Sequence, residues 1–349
     1  MKAAYFYEPY KVLIEETRTP KVKDDEMLLK VRATAVCGTD LRIYKFGHFK
    51  IPEGEKRVLG HEIAGEIVEV GSNVRFFSPG MRVAIPPNIG CGTCPMCLKG
   101  LNQLCPDYEA FGISIDGGFQ EYLLIPGAAI ERGNVIPIPD NLSFEEAALT
   151  EPFSCAYNSY DALKTSPGDT VLIIGAGPIG ACHVMINKMA GARKIIVADI
   201  VSERLEKIVQ FGVDVTIDSS KESLIERVLA ETEGLGADVV ITANSVPELQ
   251  RDSLEMAAPS GRINFFGGLP KEKEMVSLNT NLIHYKELKV LATTGSSISD
   301  FYQSLLIVAS GKVELGKLAT AKFGIDGIFE AFDYAMNGEG MKALIVNES

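Results

Sequence analysis

Cysteine carries much of the chemistry available to this chain. Seven are present, and four of them, Cys91, Cys94, Cys97 and Cys105, fall in a C-x2-C-x2-C-x7-C run. Glycines, prolines and a lysine fill the gaps, as a knuckle wrapped around an ion requires. The odd total and the tight cluster point to a metal rather than to disulfides. Four thiolates suit tetrahedral zinc in a closed site, one with no open position for chemistry. An iron–sulfur cluster, also held by four cysteines, is the rival. Four unliganded thiols is the poorer reading, because clustered exposed thiols oxidise readily.

A second set of residues has the spacing of a nucleotide site. Gly175-Ala176-Gly177-Pro178-Ile179-Gly180 fits G-x-G-x-x-G, which is weak alone and gains weight from context. It follows the apolar run Thr170–Ile174, expected to be a strand buried on both faces, and it opens a helical pattern. Asp199 closes the next strand-like run, Lys194–Asp199, at about the 20-residue offset that the motif calls for. The first glycine makes the tight turn, the second lets backbone approach a pyrophosphate, and the third lets helix pack on strand. The helix N-terminus offers amide donors to the phosphates. Asp199 is expected to accept hydrogen bonds from the adenosine ribose and to repel a 2′-phosphate, which favours NAD over NADP. Arg204, on the helical stretch Ser202–Phe211, keeps NADP open, although a solvated or paired arginine is the plainer reading. A glycine turn without a ligand is the alternative for the whole motif.

The elements that must position these residues change character along the chain. With 349 residues, two domains of ordinary size are expected. Hydrophobic residues make up 46% and charged residues 23%, the balance of a globular protein rather than a disordered or fibrous one. The formal charge of −12, with no long basic run, argues against a nucleic-acid partner. No signal-peptide core forms before Glu8-Pro9. The longest uncharged run, Thr170–Asn187, holds three glycines and a proline, so it reads as strand, turn and helix start rather than a membrane span. The expected compartment is the reducing cytoplasm. The first third carries short strand-like runs bounded by Gly and Pro, such as Met27–Ala33, Ile63–Val70, Met81–Ile85 and Phe119–Ile125, and suggests an irregular barrel or sandwich. Beyond residue 150, strands alternate with helices: Thr170–Ile174, Lys194–Asp199, Ala237–Thr242, Gly261–Gly267 and Leu288–Thr293 predict a parallel α/β sheet. Helices at Ser299–Ser310 and Gly327–Met336 and a strand at Lys342–Val346 end the chain. Pattern alone does not say to which domain this tail belongs.

Three further segments are bland one at a time. Cys37-Gly38-Thr39-Asp40 follows a strand, Gly60-His61-Glu62 precedes another, and Glu151 before Pro152 fits a helix N-terminal acid. A lone cysteine is most often a small buried hydrophobe. Taken together with the four-cysteine run, Gly117-Gly118-Phe119-x-Glu121-Tyr122, Glu151-Pro152 and the glycine motif, the chain resembles the zinc-dependent medium-chain dehydrogenases/reductases, the alcohol and polyol dehydrogenase group. The resemblance runs from residue 1 nearly to the end. It implies a GroES-like, β-rich catalytic domain over 1–151 with a zinc lobe at about 88–108. It implies a Rossmann domain with a doubly wound parallel sheet over 152–293, and a return to the catalytic domain over 294–349. It implies two zincs per chain: a structural one on Cys91, Cys94, Cys97 and Cys105, and a catalytic one on Cys37 and His61. Glu62 matches the acid that ligates directly or exchanges with water. Glu151 stands where classical alcohol dehydrogenases have cysteine and the sorbitol-, glucose- and threonine-type enzymes have an acid. Thr39 stands at the proton-relay hydroxyl, its plainer reading being a backbone-bonded turn residue. Homodimers or homotetramers are usual in the family.

One position departs from the pattern. Many members carry a histidine five residues after the ligand cysteine, and this chain has Arg42. Arginine stays charged and is a poor proton shuttle, but it binds phosphate or carboxylate well. His48 is the available substitute in the relay, a surface role being as good a reading; His183 is expected near the cofactor-loop helix and His284 has no assigned role. The expected activity is hydride transfer between NAD and a secondary alcohol, a polyol, sugar or sugar derivative. L-threonine is the closest rival substrate, although Glu151 replaces the Asp associated with that branch. A non-catalytic nucleotide- or zinc-binding protein on the same fold is the alternative of another class, and the joint presence of Cys37, His61, Glu62 and Glu151 argues against it.

Overall fold

The computed structural model describes residues 1–347. It divides into two compact units, one formed by Met1–Ser154, Ser296–Gly311 and Leu315–Ser349 and the other by Cys155–Gly295 and Lys312–Glu314. The division falls inside the helix Phe144–Leu163, which runs through Pro152. Glu151 is therefore in a helix interior and not at an N-terminus. Pro152 has no N–H to give to the Ala148 carbonyl one turn back, and the hydroxyls of Thr150 and Ser154 bond backbone carbonyls of the same helix at 3.0 and 2.6 Å.

The first unit is built on antiparallel strands. Met27–Ala35 is its centre, flanked by Glu62–Val70 on one side and by Lys342–Val346, from the far end of the chain, on the other. The burial of Met27–Ala35 is nearly continuous, because both faces are covered: Met27, Leu29 and Val31 pack with Ile63 and Ile67 in one apolar cluster. A second cluster gathers Phe6, Val58, Phe119 and Phe332 with Ala343 and Ile345. The tail strand thus supplies core residues to this unit, which is why it pairs here.

The second unit is a six-stranded, all-parallel sheet. Its order is Val215–Asp218, Lys194–Asp199, Thr170–Ile174, Ala237–Thr242, Ala257–Phe265, Lys289–Ala292. The chain starts in the middle and winds outward in both directions, so the order reverses beside Thr170–Ile174, whose five residues are all buried. Ligands of such sheets bind at the carboxyl ends of the strands, at that reversal. Val215–Asp218 is a strand the sequence pattern did not disclose: it is short and only its Ile217 is fully buried. The stretch Ser202–Phe211 also differs from expectation. Its α-helix stops at Ile208, and Val209–Phe211 form a tighter turn before Gly212. Among the described residues no helix is long and apolar enough to cross a membrane.

Candidate active site and metal centres

The four-cysteine lobe is a local construction. Cys94 caps the short helix Pro95–Leu98, and successive backbone N–H groups turn toward the sulfurs. Cys91 N donates to Cys105 Sγ at 3.2 Å, Cys94 N to Cys91 Sγ at 3.3 Å and Cys97 N to Cys94 Sγ at 3.4 Å. Donors of this kind, from Thr93 above all, bring the Cys91 thiol down to about 6, while burial pushes Cys97 up to about 11. All four sulfurs lie within 4.8 Å of one another. Zinc–sulfur bonds of ~2.3 Å in a tetrahedron put sulfurs about 3.8 Å apart, so the lobe has the dimensions of a single-ion site; a multi-iron cluster would hold its thiolates farther apart. Buried Asn102 fastens the lobe to the tail of the chain. Its Nδ2 donates to Asn88 O at 2.7 Å, and its Oδ1 accepts the Ile298 N–H at 3.0 Å at the start of the helix Ile298–Ala309.

The second metal-like cluster is assembled by sheet register. Ala35 pairs with Glu62 on one side and with Leu344 on the other, so the end of the central strand and the starts of its two neighbours converge. The central strand delivers Cys37, which caps the helix Gly38–Phe46; one neighbour begins at His61-Glu62, and the other begins at Lys342. Ligand atoms of Cys37, His61 and Glu62 lie within 4.8 Å of one another. Glu151 is outside that trio, although it is buried and its charge reaches both Glu62 and Lys342.

Two residues that the sequence reading passed over complete this cluster. Asp40 is fully buried. Its Oδ2 accepts the Cys37 N–H at 2.8 Å, its Oδ1 accepts the Gly60 N–H at 3.0 Å, and the same oxygen lies 3.3 Å from His61 Nδ1. A carboxylate behind a ligating imidazole fixes ring orientation and raises its basicity. Lys342, also buried, donates through Nζ to Glu62 Oε1 and to Val36 O at 3.0 Å. A lysine opening a strand reads as exposed in the sequence; only the buried neighbour Glu62, 280 positions away, explains it. The charge pattern of Cys37-Gly38-Thr39-Asp40 did contain a signal for Asp40, an acid three residues after a helix cap.

The electrostatics of the pocket favour a cation. Burial opposes a charge on His61, yet Asp40 and Cys37 outweigh it and hold its pKa well above the ordinary value. Burial pushes Glu62 up to about 7 against the pull of the Lys342 ammonium, with Glu151 adding to the rise. Burial also works against the charge of Lys342, and the surrounding carboxylates and Cys37 more than compensate. Glu62 Oε2 is buried without a hydrogen-bond partner among the described residues, which is costly for a carboxylate oxygen. A thiolate, an imidazole and a carboxylate within reach of one ion, with that oxygen unsatisfied, fit zinc with an open coordination position. The neighbourhood of these residues is also built around close backbone approach. A Cβ on Gly117 would lie 2.1 Å from Gly60 O, and the backbone of Gly117, Gly118 and Phe119 bonds Val58, Gly60 and Leu59. This explains the glycine pair in that motif. Thr39 is half-buried as the second residue of the helix Gly38–Phe46, rather than in a turn.

In the other unit the glycine motif takes three different conformations for three reasons. Gly175 has φ +125°, and a Cβ there would meet Ala243 O at 2.7 Å; a Cβ on Gly180 would meet Gly175 O at 2.0 Å; a Cβ on Gly177 would meet no atom beyond its immediate chain neighbours within 4 Å. The middle position is thus open to a ligand while the outer two are closed against protein. Gly177 caps the helix Pro178–Met189, with Pro178 in its first turn. Asp199 Oδ2 accepts the Ala176 N–H at 2.8 Å and Oδ1 accepts the Val201 N–H at 2.9 Å, which fixes the carboxylate beside the loop. Arg204 is exposed on the helix Ser202–Ile208. His183 is fully buried on Pro178–Met189, edge-on to Phe266 at 4.8 Å, and burial brings its pKa down to about 3. His284 lies on Thr280–Lys286 against Tyr285.

Comparison with known proteins follows the same division. Residues 23–140 match the alcohol dehydrogenase GroES-like domain and residues 178–310 the zinc-binding dehydrogenase family. An L-threonine 3-dehydrogenase of Pyrococcus abyssi is 33% identical, over 97% of this chain and 95% of its own length. A sorbitol dehydrogenase of Bacillus subtilis is also 33% identical, over 99% and 97%. Among solved structures, an Escherichia coli CFT073 protein titled a short chain alcohol dehydrogenase, complexed with NADH, superposes with a TM-score of 0.90 at 30% identity, covering 99% of each chain.

Proposed function

Because this chain belongs to the zinc-dependent medium-chain dehydrogenase/reductase family, an oxidoreductase family using zinc and a nicotinamide cofactor, we propose that it oxidises a polyol or sugar-type secondary alcohol with NAD. The observation that carries this reading is the trio of partly exposed Cys37 with buried His61 and Glu62, Glu151 acting on Glu62, a donor set with an acid where classical alcohol dehydrogenases have cysteine. Zinc held in an open site lowers the pKa of an alcohol that it binds, and the nicotinamide accepts the hydride.

The protein's own residues do the rest. Cys37 and His61 hold the metal, and Glu62 either ligates or stands aside for water. Asp40, 3.3 Å from His61 Nδ1, holds the ring by its charge. Lys342 tethers Glu62 Oε1, leaving Oε2 as the free oxygen. Thr39 Oγ1 receives the hydroxyl proton and passes it outward. Asp199 accepts the adenosine ribose hydroxyls, and its charge excludes a 2′-phosphate. Cys91, Cys94, Cys97 and Cys105 hold a second, structural zinc. Residues 1–151 and 294–349 act as the catalytic part and 152–293 as the cofactor part, in a homodimer or homotetramer. No disulfide links the seven cysteines, which suits the cytoplasm.

L-threonine is the second reading, favoured by the identity to the threonine enzyme. The test is the initial rate of NADH formation on zinc-loaded protein with polyols and L-threonine side by side. A polyol-dependent rate supports the proposal; a rate with threonine alone moves the chain to the amino-acid branch. Asp199→Ala should lower the NAD over NADP preference by about tenfold, the loss of roughly one charge-assisted hydrogen bond; unchanged discrimination refutes its ribose role.

A further inference from the structure

Arg42, the position that departs from the family pattern, has neighbours that give it a purpose. Resting on the alcohol dehydrogenase reading above, we propose that the substrate is a phosphorylated polyol and that Arg42, His48 and Lys50 hold its phosphate monoester.

Placement comes first. Arg42 lies on the helix Gly38–Phe46, which starts at the metal-binding Cys37. It is three residues beyond Thr39, so it sits about 4.5 Å farther along the axis and on an adjoining part of the same face. The guanidinium is exposed and makes no ion pair with a described residue. The helix ends at Gly47, whose φ is +71°, and His48 and Lys50 follow within three residues. His48 Nδ1 accepts the Lys50 backbone N–H at 3.2 Å, which places the ring's proton on Nε2 and makes that atom a donor. The imidazole stacks on Phe49 at 4.5 Å. Lys50 Nζ donates to Tyr108 O and lies 3.8 Å from the Tyr108 ring centroid, an anchorage that uses up only part of its three donors.

Charge comes second. The His48 pKa is lowered, by burial first and then by the charges of Arg42 and Lys50, with no carboxylate acting on it. Lys50 also meets the ring through its backbone N–H, and Arg42 lies six residues earlier, on the helix that Gly47 ends. In a chain with 46 acidic and 34 basic residues, unneutralised cations gathered beside a half-buried histidine are the exception. A dianion would complete the group. The flat guanidinium fork matches two phosphate oxygens, and an imidazole N–H and an ammonium are further donors for the third. A carboxylate offers only two oxygens, and an uncharged hydroxyl balances none of the charge. The cofactor's pyrophosphate has its own place at Gly177 and the N-terminus of Pro178–Met189.

The test uses full-length, zinc-loaded enzyme with NAD. Pentitols and hexitols are assayed beside their terminal monophosphates and beside the matching aldonates. The monophosphates should show the higher kcat/KM, and Arg42→Ala should cut the ratio of phosphorylated to unphosphorylated kcat/KM by about 10- to 100-fold, the value of a charge-assisted pair. Arg42→Lys should recover part of it. Arg42 is exposed, so these variants leave the core intact. In parallel, calorimetry with inorganic phosphate, which needs no turnover, should show binding that Arg42→Ala weakens. A ratio near one, a ratio unmoved by Arg42→Ala, a preference for aldonates, or an Arg42→Ala defect confined to NAD binding would each overturn the subsite. Turnover of plain polyols with no gain from phosphate would sink the subsite and keep the dehydrogenase. Phosphate binding that depends on Arg42, without oxidation of any alcohol, would keep the anion site and sink the polyol reading.

Discussion

The two cysteine-containing clusters are built in opposite ways. The lobe at Cys91–Cys105 spans fifteen consecutive positions, and its sulfurs are positioned by backbone N–H groups of the same segment. The Cys37 cluster draws on positions 37, 40, 61, 62, 151 and 342, and its side chains are positioned by one another. Three of the lobe's four cysteines are partly exposed, and so is Cys37, whereas the charged groups around Cys37, namely His61, Glu62, Asp40, Glu151 and Lys342, are all buried. A closed thiolate knot needs only a local loop. An open site that must hold charge away from water needs a second layer of charges, and those come from distant strands.

This contrast can be broken by substitution. Cys37→Ser should lower turnover on the order of 10³-fold or more, since Lewis-acid polarisation is worth several kcal/mol, and should cost one zinc per chain by metal analysis; full turnover would end the catalytic assignment. Lys342→Met should destabilise the fold by about 3–5 kcal/mol, because it leaves the Glu62 carboxylate buried without its partner. Chemical denaturation checks this, and the Lys342→Met, Glu62→Gln double variant should recover most of the loss; additive losses would mean that the pair does not act as a unit. Asp40→Asn should weaken zinc binding about 10- to 100-fold, read by competition with a chelator, and an unaltered affinity would reduce Asp40 to a helix cap. Cys94→Ser should also cost one zinc but leave most activity at low temperature, lowering the unfolding midpoint by about 5 °C. Loss of turnover with an unchanged midpoint would erase the distinction between the two clusters.

The lobe and the glycine motif were legible because their geometry is written in consecutive residues. C-x2-C-x2-C spacing turns successive amides toward sulfur, and G-x-G-x-x-G after a buried strand imposes the turn, the open middle and the tight third position. The parallel strands were legible for the same reason, as apolar runs such as Thr170–Ile174. Val215–Asp218 escaped because one buried side chain makes no pattern. The position of Glu151 in a helix interior escaped because the pattern treats proline as a boundary, while the helix Phe144–Leu163 absorbs Pro152.

Sequence by itself determined the residue types and short spacings that suit a metal and a dinucleotide, since ligand type and short spacing are local properties. Tertiary structure alone decided which of them meet. Sheet register brought Lys342 to Glu62, and the first turn of the helix Gly38–Phe46 set Asp40 beside Gly60 and His61. The physical reason is that the cost of burying a charge is set by its neighbours in space, and neighbours supplied by strands hundreds of residues apart leave no mark on the spacing of either one.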